Sequence, residues 1–163
     1  MINQSDNLTS GHSNSDYTFR DLSASARLFF NILPTDWQEG IVPFWKDYQS
    51  STQVFVLRKE HRIAGGGLVF SRPAPDTLIY KEEAQNWFDK GYLYIGFLWI
   101  DEQFRNRQLG SYWLHQLFRQ NPGQKFWLAI EEEGLASFYS KNGFYLKKII
   151  HLTDSSEWIM LRD

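Results

Sequence analysis

The sequence predicts an α/β (α+β) domain of three layers, a mixed and mostly antiparallel central sheet flanked by helices. Three observations predict it. Strand-like and helix-like segments follow one another in the order strand, two helices, three strands, helix, strand, helix, two strands, with a short insert before the third of the three strands. Hydrophobic residues make up 42% of a 163-residue chain, enough for one sizeable core. The strand–helix–strand unit from Leu93 to Ile130 requires one parallel, right-handed crossover in a sheet otherwise built from hairpins.

Residues 1–15 are polar, rich in Ser and Asn and nearly free of apolar anchors, and are expected to form a mobile tail ahead of a domain spanning 16–163. His12 in this tail is read as a solvated side chain. Tyr17 to Arg20 alternates as a first strand. Ser23 is placed to cap a helix through Leu33, with Ala26, Phe29, Phe30 and Leu33 on one face and Pro34 as the stop. A second helical stretch runs from Trp37 to Tyr48, bent near Pro43. Gln53 to Leu57 and Ile63 to Phe70 form a hairpin around Lys59 to Arg62.

Gly65-Gly66-Gly67 within the return strand marks a bulge or a close backbone approach. A phosphate loop would need a following Lys-Ser or Lys-Thr, which is absent. Ser71 to Thr77, with Pro73 and Pro75, reads as loop, and Lys81 to Lys90 as a short helix ended by Gly91. Then come a strand from Leu93 to Ile100, a helix from Leu109 to Gln120, a strand from Lys125 to Ile130 and a short helix from Gly134 to Lys141. A closing hairpin follows, Phe144 to Leu152 and Glu157 to Leu161.

Composition excludes several classes of function. Net charge is −2 and the pI about 6.1, so no basic field is offered to nucleic acid or to an anionic membrane. No apolar run reaches spanning length, and the N-terminus lacks the basic start and apolar core of a secretory leader. The absence of cysteine removes disulfides, thiolate metal sites and thiol nucleophiles, and fits an expected cytoplasmic location. No His pair has metal-ligand spacing, so no metal is expected, and no nucleophilic serine elbow is present. Aromatic residues reach 17%; they fill core or line a pocket for an apolar or cationic substrate, and Trp37, Trp45 and Trp87 are open to either use.

Two segments carry chemistry. From Leu93 to Leu117 a strand enters a short, doubly basic turn that opens into an amphipathic helix. Such a joint presents free N–H groups and a positive helix end to an anion. Arg105-Asn106-Arg107-Gln108-Leu109-Gly110 forms the turn, with Ser111 after it. Farther on comes Phe138-Tyr139-Ser140-Lys141-Asn142-Gly143-Phe144. Together they resemble the GNAT superfamily of N-acetyltransferases, over Tyr17 to Leu161. The first segment is similar to that family's Gln/Arg-x-x-Gly-x-Gly/Ala turn: Arg105 and Gly110 fit, and Gln108 stands in a glycine's place. The second fits the family's Phe/Leu-Tyr-x-Lys-x-Gly-Phe ending. Glu132 and Leu135 replace an Asn and an Ala common there.

The resemblance implies acetyl-CoA as acyl donor. Its pyrophosphate would meet Arg105, Asn106, Arg107, Gln108, Leu109, Gly110 and Ser111, and its pantetheine arm would add to the strand edge at Leu98, Trp99 and Ile100. A backbone amide near Leu98 would polarise the thioester carbonyl. Tyr139 matches the family tyrosine that protonates the leaving thiolate. If Gln108 must be left-handed, it costs about 1–2 kcal/mol.

An alkyl ammonium has a pKa of about 10.4, so its proton needs an acceptor. Glu131, at the end of the strand after the cofactor helix, is the candidate base, although Glu131 to Glu133 also reads as a solvated helix start. Glu82, Glu83 and Asp89 on the insert either cover a substrate cleft or form an exposed face. The expected function is acetyl transfer to a primary amine of a small molecule or peptide by direct attack. The alternative is an inactive acyl-CoA-binding or sensor module of the same fold, favoured by Gln108, Glu132 and Leu135, or a transferase of another acyl group. Oligomeric state is not readable, and a homodimer stays open.

Overall fold

Seven strands pair into one sheet of order β1-β2-β3-β4-β5-β7-β6 in the computed structural model, which describes residues 16–163. The expected tail, with His12, lies outside the described residues. The strands are β1 (Thr18–Asp21), β2 (Thr52–Lys59), β3 (Arg62–Phe70), β4 (Tyr92–Ile100), β5 (Lys125–Ile130), β6 (Tyr145–His151) and β7 (Ser156–Arg162). Every neighbouring pair is antiparallel except β4 with β5, which the crossover makes parallel. The helices are α1 (Arg27–Phe30), α2 (Thr35–Ile41), α3 (Trp45–Tyr48), α4 (Lys81–Asp89), α5 (Leu109–Gln120) and α6 (Ala136–Lys141). The mixed sheet with flanking helices is the fold class read from the sequence.

The crossover helix α5 buries Leu109, Trp113, Leu114 and Leu117, one apolar stripe at helical spacing. Trp113 is fully buried and donates its indole N–H to the Phe55 carbonyl at 2.9 Å, which locks α5 onto β2. The glycine triplet of β3 makes this close approach possible. A Cβ on Gly67 would stand 2.8 Å from the Trp113 ring, and one on Gly66 2.6 Å from the Phe55 carbonyl oxygen. Both sequence readings of the triplet hold here, since the β3–β4 register also shifts between Gly66 and Leu68.

Three expected elements differ. The helix from Ser23 to Leu33 is a 3-10 turn, Ser23–Ser25, followed by the four-residue α1. Ser23 does not cap it: its hydroxyl donates to Asp21 at 2.6 Å and accepts from the Val54 N–H at 3.0 Å, tying the segment to the sheet edge instead. The loop at Ser71 to Thr77 turns helical from Pro75, whose fixed φ suits a helix start, and a 3-10 helix runs from Pro75 to Tyr80. The helix from Gly134 begins as a 3-10 turn, Glu133–Leu135, before α6.

Candidate active site

Strand β4 leaves its parallel partner early. Tyr92–Tyr94 pair with Lys125–Trp127, and no pairing with β5 continues beyond them. From Ile95 to Ile100 that edge of β4 faces a cleft of about 980 Å³ instead of a neighbouring strand. Leu98, Trp99 and Ile100 line it from one side, Ala129 and Ile130 of β5 from the other. Backbone groups on an unpaired edge are ready to pair with an extended ligand.

A bulge sharpens the opening. Gly66 pairs with Trp99 and Leu68 with Gly96, so Phe97 and Leu98 together oppose Gly67. Phe97 has φ +55°, a left-handed conformation that costs a bulky residue about 1–2 kcal/mol. The strain aims its ring at the cleft, edge-on to Trp37 of α2 with centroids 6.0 Å apart; Trp37 also meets Trp99 at 5.3 Å. Trp37 is thus a cleft residue, whereas Trp45 and Trp87 are buried in the core.

The joint between β4 and α5 starts with Asp101, whose side chain accepts the Gln103 N–H at 3.0 Å. Arg105 is turned back on the strand end: its Nε donates to the Ile100 carbonyl at 3.0 Å, and its guanidinium lies 4.6 Å from the Trp99 ring centroid. Arg105 lines the cleft. Arg107 does not; its Nη1 donates to the Tyr17 hydroxyl at 3.1 Å. Asn106 and Gln108 have φ +63° and +58°, so the position where glycine was expected is left-handed. Leu109 is buried under the helix, and Gly110 lines the cleft.

Ser111 links the joint to α6. Its hydroxyl accepts from Asn142 Nδ2 at 3.1 Å, and the same amide donates to the Phe138 carbonyl at 2.8 Å. Asn142 therefore holds the start of α5 against the end of α6. Tyr139 of α6 lines the cleft, half-buried, with Phe144 edge-on at 5.8 Å. Burial pushes its phenol above the usual range, so it is protonated at neutral pH. Lys141 also faces the cleft.

Glu131 and Glu132 line the cleft beyond β5; Glu133 starts the 3-10 turn before α6. The candidate base Glu131 is joined there by residues the sequence did not single out. Glu157 of β7, Asp76 of the Pro75–Tyr80 turn, and the phenols of Tyr80 and Tyr94 line the same region. Tyr94 donates to Asp76 at 2.7 Å. Glu157 is 8% exposed, and burial, with Glu131 and Asp76 beside it, pushes its carboxyl up to about 7. Burial also raises Asp76, against the lowering effect of the Tyr94 hydrogen bond. One signal was available for Glu157: it shares the strand parity of Ile159 and Leu161, which are buried.

The acids of α4, Glu82, Glu83 and Asp89, take no part in this cluster. Glu83 pairs with Lys148 at 3.1 Å and accepts from the Trp87 indole, and Asp89 accepts from Gln85. None of Glu82, Glu83 and Asp89 lines the cleft. His61, His115 and His151 are exposed and away from it. Among the described residues no helix is long and apolar enough to cross a membrane, and no group of three or more His, Cys, Asp or Glu could hold a metal.

Comparison with known proteins matches this arrangement. The sequence pattern of the acetyltransferase (GNAT) family matches residues 19–144. An acetyltransferase of that family from Elizabethkingia anophelis, with acetyl-CoA bound, superposes with a TM-score of 0.61 at 13% identity, over 91% of this chain and 98% of that one. An acyl-CoA N-acyltransferase from Pseudomonas aeruginosa gives 0.60 at 14% identity, over 90% and 98%. An N-acyl amino acid synthase from uncultured soil microbes gives 0.62 at 14%, over 90% of each chain. No protein of curated function matches the sequence significantly.

Proposed function

The chain belongs to the acetyltransferase (GNAT) family and is an acyltransferase, and from that premise we propose that it moves an acetyl group from acetyl-CoA to a primary amine by direct attack. The observation that carries this reading is the early parting of β4 and β5, with Leu98–Ile100, Gly110 and Tyr139 on one cleft.

These residues fit the donor. The unpaired edge of β4 suits the amide-bearing pantetheine arm, and the N–H groups from Arg105 to Ser111, with the charge of Arg105, suit its pyrophosphate. Arg107 would have to leave Tyr17 to take part. A β4 amide near Leu98 would stabilise the oxyanion as the amine nitrogen bonds to the thioester carbon. As the carbon–sulfur bond breaks, the electron pair stays on sulfur and Tyr139 gives it a proton, and the second proton that the nitrogen sheds on becoming an amide restores the phenol. The proton lost by the ammonium goes to a carboxylate at the acidic end, with Glu131 as the candidate. The substrate supplies the thioester; the protein supplies orientation and electrostatic stabilisation.

Thermal shift and turnover test the reading together. Acetyl-CoA at about one hundred times its dissociation constant should stabilise the native state by about 2.7 kcal/mol. Thiol release should then appear in the presence of a primary amine. The absence of any thermal shift at millimolar acetyl-CoA, or of thiol release across a broad amine panel, would overturn it.

A further inference from the structure

The identity of the amine can be narrowed, resting on the acetyl-transfer reading above. The cleft is electrically polarised. Its two lining cations, Arg105 and Lys141, stand at the β4–α5 joint and at the end of α6. Asp76, Glu131 and Glu157 converge elsewhere on its wall, and Asp36 of α2 and Glu132 also face the cleft. A cleft of this kind steers a cation toward its acidic part.

Glu157 is the telling residue. It is more than nine-tenths buried, yet its carboxyl lines the cleft. Its carboxyl interacts with that of Glu131 and lies in the field of Asp76; burial and both neighbours raise its pKa, and among the described residues no Lys, Arg or His offsets them. The other groups facing this cluster are the phenols of Tyr80 and Tyr94, one from the Pro75–Tyr80 turn and one from β4. A buried acid beside two others, without a counter-ion from the protein, is an unfavourable arrangement in the free fold. A positive ligand relieves it. An organic cation fits, because the rings of Trp37, Phe97 and Trp99 also border the cleft and suit both methylene groups and an ammonium.

One carboxylate suffices to take the proton from an attacking ammonium, and this cleft holds a cluster of them. We propose that the acceptor is a diamine or polyamine, with one amino group reaching the thioester and a second ammonium held by Asp76 and Glu157, which leaves Glu131 to the attacking amine. Binding of that second ammonium discharges the proton held on Glu157, so affinity rises as pH is raised toward about 7 and levels off above it. An amine that carries a carboxylate is disfavoured by like-charge repulsion.

The test is calorimetric titration of the full chain, saturated with CoA, with 1,4-diaminobutane, butylamine and 4-aminobutyrate at neutral pH, in two buffers of different ionisation heat. The diamine should bind about tenfold or more tightly than butylamine, with proton release, and 4-aminobutyrate most weakly. In Glu157→Gln and Asp76→Asn, each checked for cooperative unfolding, the preference should shrink to about threefold or less. Equal binding of the diamine and butylamine, tighter binding of 4-aminobutyrate, or an undiminished preference in both variants would overturn the assignment. Thiol release separates the two readings. Equal turnover of butylamine and diamine leaves acetyl transfer standing and removes the diamine site. Tight, proton-linked diamine binding without thiol release keeps the site and removes acetyl transfer.

Discussion

At the β4–α5 joint the cleft is bordered by Arg105 and Gly110, drawn from one short stretch of chain; at its acidic end it is bordered by Asp76, Glu131 and Glu157, drawn from three separate elements. The joint works through backbone geometry and a helix start, and its one cleft-facing guanidinium already has an internal partner in the Ile100 carbonyl. The acidic end works through side chains whose mutual repulsion is not neutralised from within. A local motif can satisfy itself before any ligand arrives. A cluster assembled over long range here leaves charge unsatisfied, and that charge is what selects a partner.

The largest expected effect lies at Tyr139, on the wall of the same cleft. Its phenol is protonated at neutral pH and half-buried on the cleft wall. Tyr139→Phe removes the hydroxyl and keeps the ring against Phe144. Turnover should fall by about 10²–10⁴, the usual contribution of a general acid, while acetyl-CoA affinity changes little. Steady-state kinetics beside a thermal-shift titration reads both. An unchanged kcat would move the proton source elsewhere, and a matching loss of acetyl-CoA affinity would place Tyr139 in binding rather than in proton transfer.

The acidic end should reveal itself in stability as well. Glu157 sits near 4.5 in an unfolded chain and is pushed up to about 7 in the fold, and Asp76 shifts the same way. Between those values the native state holds a proton that the unfolded chain has released, so stability falls as pH rises through that window. Below about 4.5 the contribution of Glu157 is complete, and above about 7 it is lost. Thermal unfolding should show a lower Tm at about pH 8 than at about pH 5.5. Glu157→Gln should flatten this slope and stabilise the protein at pH 8 by on the order of 1–2 kcal/mol, or about 2–8 °C. A Tm that rises from pH 5.5 to 8 in the native chain and equally in the variant would contradict the buried-acid account.

The same contrast explains what could be read from the sequence. Helix α5 and strand β5 fall at their expected boundaries, Leu109–Gln120 and Lys125–Ile130, because a cofactor-type joint, an apolar stripe and an Asn-Pro-Gly turn are all local signals. Ser23 was misread as a cap because its partners, Asp21 and Val54, are fixed by sheet pairing rather than by the helix that follows. Asp76 looked like loop. It reaches the site only because Tyr94 of β4 holds it, and Glu157 only because β7 inserts beside β5. No nearest-neighbour rule brings Glu131 and Glu157 together. The parity of Glu157 with Ile159 and Leu161 was the one available hint.

The smallest effect is at the joint itself and asks whether its geometry is held by backbone or by side chain. Gln108 is left-handed at φ +58°, as is Asn106 at +63°, but Asn tolerates this region better than Gln. The cost for Gln108 is about 1–2 kcal/mol, and glycine there would recover it less the extra chain entropy that glycine loses on folding, about 0.5–1 kcal/mol. Gln108→Gly should therefore stabilise the protein by about 0.5–1 kcal/mol, a rise in Tm of roughly 1–4 °C. Acetyl-CoA affinity should move by less than about threefold, because the left-handed turn and its N–H groups are already in place. A tenfold loss of affinity would show instead that the Gln108 amide itself binds phosphate, and the joint would then depend on side chains as the acidic end does.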